Sequence, residues 1–208
     1  GAGAPAYNFT TVSKDSFKII ESPYYEEIIL VKDLPPLYPS VELLPSVVRR
    51  PGGDYDFIRD DRYVLSFSPR IGTDIHEVPL RIRDSDNGVI DEMLTRAQLG
   101  RHGLVSYSSD TVPESYEAII IDQVPETYMD FSSQDAIHLS SSQSNMEVDC
   151  LPNRDYYAIF RAKDNGGISN PSEVYKIRIN SFPDGRSPEF TTFELEENLT
   201  TESYSMVT

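Results

Sequence analysis

The fold that this sequence predicts depends most on the stretch CLPNRDYYAIFRA, residues 150–162. Proline and asparagine near its start favour a turn, and a tyrosine then begins a run of alternating side chains. Successive side chains of a strand point to opposite faces of a sheet, so every second residue shares a face. On that spacing the shared face carries Tyr156, Ala158, Phe160 and Ala162. The stretch therefore predicts a turn that leads into a β-strand with one apolar face.

This stretch resembles the tyrosine corner and F strand of a fibronectin type III domain, a pattern close to L-x-P-x-x-x-Y. Cys150 stands where the pattern has leucine. The resemblance implies that the Tyr156 ring is buried and that its hydroxyl bonds a nearby backbone group. It gives structural roles to Cys150, Leu151, Pro152, Tyr156 and Phe160.

The resemblance extends over roughly residues 35–180. Phe67 takes the position of the tryptophan in the family's B strand. The segments that match the A, B, C and G strands are 36–44, 65–69, 116–120 and 174–179, and the segment 164–172 matches the F–G loop. The fold class that this implies is all-β, a fibronectin type III-like (Ig-like) β-sandwich.

A long insertion, at about residues 70–115, replaces the short loop that joins the family's B and C strands. Within it, apolar residues at 89, 90, 93, 94 and 97 predict one short helix over residues 89–99. Gly100 follows as the expected left-handed C-cap.

Three regions are expected along the chain. Residues 1–33 form an N-terminal arm with two strand-like apolar runs, and residues 34–182 form the sandwich with its insertion. Residues 183–208 are polar and acidic and are expected to be a tail, with a short docked segment around residues 190–193.

Composition restricts the partners. The formal net charge is −16, whereas a nucleic-acid binder needs a basic face, so no nucleic acid is expected to bind this chain. No apolar run approaches the length of a membrane span, so no membrane insertion is expected. The 38% of hydrophobic residues supports a folded core. The one cysteine excludes an internal disulfide.

Catalytic motifs are not evident. The three histidines, His76, His102 and His138, lack metal-ligand spacing, and Cys150 falls on a core position of the corner. No nucleophile elbow and no phosphate-binding glycine loop occurs. The sequence therefore predicts a non-catalytic protein without a cofactor.

The stretch Asp84–Gly88 has two interpretations. One is a loose calcium site that uses Asp84, Asp86 and Asp91, although the glycine falls one position too early for an EF-hand loop. The other is a capped turn that precedes the helix.

Contacts with a partner are expected in exposed loops on the rigid sandwich. Two loops combine adaptable polar and aromatic residues with glycine: Asp54, Tyr55, Asp56 and Phe57 in the first, and Asn165, Gly166 and Gly167 in the second.

A second resemblance concerns residues 156–161 and 168–175. These segments look like the C-terminal projecting domain of capsid proteins from invertebrate RNA viruses. The resemblance implies a domain on the virion surface that acts in assembly and host attachment, contacting itself, other shell proteins or a host surface receptor. The alternative is a secreted or cell-surface adhesion module, extracellular, that binds another protein. An enzyme accessory domain, or an enzyme without a recognisable motif, is the third class.

Overall fold

The structure is a computed structural model that describes residues 33–49, 56–110 and 112–195, with side chains described for residues 33–46 and from residue 63 onward. The prediction of an all-β chain is confirmed. The strands are β1 Ser40–Arg49, β2 Asp56–Ser68, β3 Gly72–Glu77, β4 Val105–Ser109, β5 Ser115–Ile121, β6 Ile137–Ser140, β7 Asn145–Val148, β8 Asp155–Asp164, β9 Gly167–Ile168, β10 Val174–Phe182 and β11 Gly185–Phe193. Among the described residues, the helices are α1, Asp86–Arg96, and a 3-10 helix, Tyr128–Ser133.

Within the described ranges the strands form three antiparallel sheets. The first has the order β1-β2-β7, and the second has the order β11-β10-β8-β5-β6 with β9 added to β8. Strands β3 and β4 form a two-stranded sheet in the insertion.

The two larger sheets share one core. Its buried side chains come from β1, β2 and β7 on one side and from β5, β6, β8 and β10 on the other. The Phe67 ring stacks on Tyr116 at 5.4 Å between centroids and meets Phe160 edge-on at 5.5 Å. Such aromatic pairs add to the free energy of burial and fix how the two sheets face each other.

The opposite face of the six-stranded sheet is also buried. Ile119 and Ile159 are paired on adjacent strands and are completely buried there. They pack with Ile82 from the insertion and Phe131 from the 3-10 helix. A sandwich usually leaves this face to solvent, but here it carries a third layer.

The insertion builds a core of its own. Buried residues of α1 pack against β4, β9 and the segment before β1: Leu37, Ile90, Met93, Leu94, Val105, Tyr107 and Ile168. The predicted helix is present but lies three residues earlier than expected. It ends in a Schellman motif in which Gln98, at φ 58°, takes the left-handed position predicted for Gly100.

The expected tail is a strand over residues 185–193, and the docked segment expected around residues 190–193 forms the end of that strand. These residues form β11, which pairs with β10 through a two-residue turn between Phe182 and Gly185. Phe190 stacks on Tyr175 at 4.7 Å, and Phe193 meets Tyr157 at 4.9 Å. The rest of the tail, residues 196–208, and residues 1–32 of the arm lie outside the described residues.

No helix in the described part of the chain is long and apolar enough to cross a membrane.

Candidate recognition surface

The turn before β8 fixes the loop in which Leu151 lies. The Leu151 N–H donates to the Tyr156 hydroxyl at 3.1 Å, and Cys150 packs half-buried against the shared core. Burial, with the charge of Asp149 added, raises the pKa of the Cys150 thiol to about 11. The thiol is therefore protonated at neutral pH and is a poor nucleophile. Pro152 is half-buried, whereas 60% of Leu151 is exposed.

A buried ion network fastens α1 to the outer face of β5 and β8. Arg161 is 1% exposed and donates to both carboxylate oxygens of Asp86, at 2.8 and 3.1 Å. On its other side it donates twice to Glu117, at 2.7 and 3.1 Å. Asp86 also accepts the N–H groups of Ile82 and Arg83, both at 3.0 Å. These bonds join the first turn of the inserted helix to the centre of the sheet.

The charges in this network are mutually dependent. Burial alone would raise the pKa of Asp86, but the bonds and charge of Arg161, with the two backbone N–H groups, lower it overall. Arg161 stays charged because its two carboxylates raise its pKa despite burial. A buried charge costs free energy unless it is paired in this way.

The three calcium candidates do not come together. The carboxylate of Asp86 is buried in an ion pair with Arg161. Asp91 pairs with Arg81 at 2.7 Å on the surface, and Asp84 is exposed. Among the described residues, no group of three histidine, cysteine or acidic side chains is placed to hold a metal ion. The Asp86 carboxylate instead accepts the N–H groups of Ile82 and Arg83, so it closes the turn that leads into α1.

The predicted contact loop at residues 165–167 is mostly closed. Asn165 is exposed, but Gly166 and Gly167 are buried against the insertion and the segment before β1. A Cβ on Gly166 would lie 2.2 Å from the Leu34 carbonyl oxygen, and one on Gly167 would lie 2.5 Å from Met93 Sδ. These glycines permit close packing rather than contact with a partner.

Asn170 ties the same loop to the insertion. Its side-chain amide donates to Glu77 at 2.8 Å, and its carbonyl accepts the Leu80 N–H at 2.9 Å and the Tyr107 hydroxyl at 3.2 Å. The insertion thus covers the loop between β8 and β10, contrary to the expectation that this loop is open to a binding partner.

The other predicted contact loop, residues 54–57, is described only in part. Asp54 and Tyr55 lie outside the described residues. Asp56 and Phe57 begin β2, where they pair with Arg49 and Val48, and their side chains lie outside the described set.

No other described segment covers the opposite end of the six-stranded sheet, and the sequence pattern did not indicate this surface. We call it the loop end; it comprises residues 122–136, 149–154 and 182–186. The strand register brings these segments together. Ile121, the last residue of β5, pairs with Tyr157 near the start of β8, and Asp155, the first residue of β8, pairs with Arg178 of β10. Four large apolar side chains here are at least half exposed: Val124 at 65%, Met129 at 54%, Leu151 at 60% and Phe182 at 56%.

Hydrogen bonds hold the three segments in place. Arg154 pairs with Asp122, which joins the loop before β8 to the loop after β5. The Asn153 N–H donates to the Ile179 carbonyl at 2.7 Å, and the Ser181 N–H donates to the Asn153 side chain at 3.1 Å. In the first loop, Thr127 and Asp130 form a capping box on the 3-10 helix. A polar groove of about 450 Å³ lies within this loop, lined by Val124, Glu126, Met129, Asp130 and their neighbours.

An apolar groove of about 240 Å³ lies beside α1. Its walls include Leu34, Met93, Leu99 and Leu104, and His76 lies at its edge. His138 lies elsewhere, 3.4 Å from Glu117, so these two histidines do not converge.

No protein-family model matches the chain, and no curated protein matches it.

Proposed function

We propose that this chain is a non-catalytic recognition and structural domain with a fibronectin type III-like sandwich. The strand order supports the finer fold when β1, β2 and β7 are read as strands A, B and E. Strands β6, β5, β8 and β10 then correspond to C′, C, F and G. The bond between the Tyr156 hydroxyl and the Leu151 backbone supports the tyrosine corner.

The observation that carries the recognition function is the loop end. Apolar side chains that are at least half exposed sit there on loops held by hydrogen bonds, on a scaffold with two buried sheet faces. Ordered loops on a rigid framework lose little conformational entropy on binding, and exposed apolar groups gain from being covered.

The proposed setting is the surface of a virus particle, where the domain would act in assembly and host attachment. The resemblance of residues 156–161 and 168–175 to projecting capsid domains supports this setting. The alternative is an extracellular adhesion module that binds another protein through the same surface.

The natively purified chain, measured by size-exclusion chromatography with light scattering and then by electron microscopy, separates the two settings. The particle proposal predicts assemblies many times heavier than the 23.5 kDa chain. A stable monomer at every concentration would contradict self-assembly of this chain and favour the adhesion module.

A further inference from the structure

The segments that carry the exposed apolar side chains of the loop end also carry an excess of negative charge. The three segments that form it contain six carboxylates, Asp122, Glu126, Asp130, Asp135, Asp149 and Asp184, against two guanidinium groups, Arg154 and Arg186. One of these guanidinium groups, Arg154, is already paired with Asp122. The surface therefore combines exposed apolar groups with an excess of carboxylates.

Two of these carboxylates are held in position, that of Asp122 by Arg154 and that of Asp130 by backbone N–H groups. Asp130 accepts the N–H groups of Glu126 and Thr127, both at 2.8 Å, and these bonds lower its pKa. Asp184 lies in the two-residue turn between β10 and β11, next to the exposed Phe182. Asp149 directly precedes Cys150, which is packed on the core. The charge of Asp130 is thus held at a fixed point, and Asp184 and Asp149 each lie two residues in sequence from an exposed apolar residue, Phe182 and Leu151.

Charge selects the kind of partner that this surface fits. A second copy of the chain would bring the same carboxylates against these, at a net charge of −16 per chain, and like charges across an interface are costly. A partner whose lysine or arginine side chains meet the rim, while its apolar side chains cover Leu151 and Phe182, satisfies both features.

We infer that the loop end docks a segment of a different protein that carries basic and apolar side chains together. This inference rests on the proposed recognition function and adds the chemistry of the partner to it. The apolar contacts supply most of the affinity, and the carboxylates select the partner and speed its association.

The test uses the full chain and, as the probe, a synthetic peptide that alternates lysine and leucine. Its affinity is measured by isothermal titration calorimetry at low and at physiological salt. One variant, Glu126→Gln with Asp149→Asn and Asp184→Asn, removes three loop-end charges. Its control, Asp74→Asn with Asp84→Asn and Asp110→Asn, removes three exposed charges from the insertion.

A second pair of variants addresses the apolar groups. Leu151→Ser with Phe182→Ser removes two exposed apolar side chains from the loop end, and Ile71→Ser with Leu104→Ser removes two from the insertion, where they are 69% and 57% exposed. Circular dichroism melting of all four variants checks that each is folded before affinities are compared.

The expected result is a loss of about tenfold or more in affinity for each loop-end variant, with little change for each control. Raising the salt concentration should weaken the wild type more than the charge variant. Equal losses in the loop-end and control variants would overturn the inference, because they would show binding to overall negative charge. A wild-type chain that does not bind the peptide would overturn the basic partner alone. The mass measurement above decides between the particle and the adhesion module independently of that result.

Discussion

Asp86→Asn tests the claim that the buried ion network holds the insertion on the sheet. The substitution keeps the size of the side chain and an oxygen for the N–H groups of Ile82 and Arg83. It removes the negative charge and places an NH₂ group opposite Arg161 Nη2, which donates to Asp86 Oδ1 at 3.1 Å in the wild type. Arg161 is then left with one carboxylate, Glu117, in a site where it is 1% exposed.

Removing one partner of a buried pair costs about 3–5 kcal/mol. We expect the lower end, ~3 kcal/mol, because Glu117 still bonds the guanidinium at 2.7 Å. For a domain of this size, that loss corresponds to a fall of about 6–12 °C in Tm. The measurement is urea unfolding at pH 7, followed by tyrosine fluorescence and far-UV circular dichroism. Asp91→Asn is the matched control, because Asp91 lies on the same helix and pairs with Arg81 in solvent.

The effect should also depend on pH. The folded pKa of Asp86 is lowered, so its carboxylate stabilises the fold above its unfolded pKa of about 3.9. That stabilisation is lost as the pH falls through the lower folded value. The stability difference between wild type and Asp86→Asn should therefore narrow in acid. A loss below about 1 kcal/mol at pH 7, or one no larger than that of Asp91→Asn, would refute the role of the network.

Three further predictions concern single contacts. Tyr156→Phe removes the acceptor of the Leu151 N–H and should cost about 1 kcal/mol in urea unfolding, and an unchanged midpoint would mean that the bond is unimportant. Gly166→Ala should destabilise the fold by about 2 kcal/mol or more, because the added Cβ meets the backbone of Leu34. Its control, Gly88→Ala, has no atom within 4 Å of the added Cβ and should be neutral or stabilising. Equal melting temperatures of the two variants would contradict the close packing of Gly166. Burial, with Asp33 and Glu114 nearby, raises the pKa of Asp164, so Asp164→Asn should increase stability at pH 7, and this gain should vanish below about pH 4; a loss at pH 7 would contradict that sign.

The buried strands could be recognised from the sequence because their pattern is local. Residues 156–162 alternate as a strand should, and they form part of β8. The same stretch also indicated that the second face of the strand is buried, but the regular alternation drew attention to the first face alone. Tyr157 and Ile159 are apolar on the second face, as are Ile119 and Ile121 of β5, and strands with two apolar faces are typical of sheets covered on both sides.

Strand β11 also had a local signal. Pro183, Asp184 and Gly185 have turn chemistry and separate β10 from a segment that includes Phe190 and Phe193. The acidic composition of the chain beyond residue 193 favoured a tail over the whole of residues 183–208, so the strand was not predicted.

The ion network and the closed loop could not be predicted. Asp86 and Arg161 are 75 residues apart, and nothing in the spacing of either indicates the other. Gly166 and Gly167 fit an open turn as well as a packed one, and only the position of the insertion decides between them. The loop end was missed because its apolar residues are isolated in sequence and come together only through the register of β5, β8 and β10.

Methionine oxidation tests most directly the claim that the insertion covers one end and leaves the loop end open. Met93 on α1 is 3% exposed and Met146 on β7 is 7% exposed, whereas Met129 at the loop end is 54% exposed. The native chain is treated with dilute hydrogen peroxide, and sulfoxide at each methionine is followed by peptide mass spectrometry. We expect Met129 to oxidise much faster than Met93, and Met93 to be protected as well as Met146. Oxidation of Met93 at the rate of Met129, with Met146 still protected, would contradict the account, because it would show the insertion undocked from an intact sandwich.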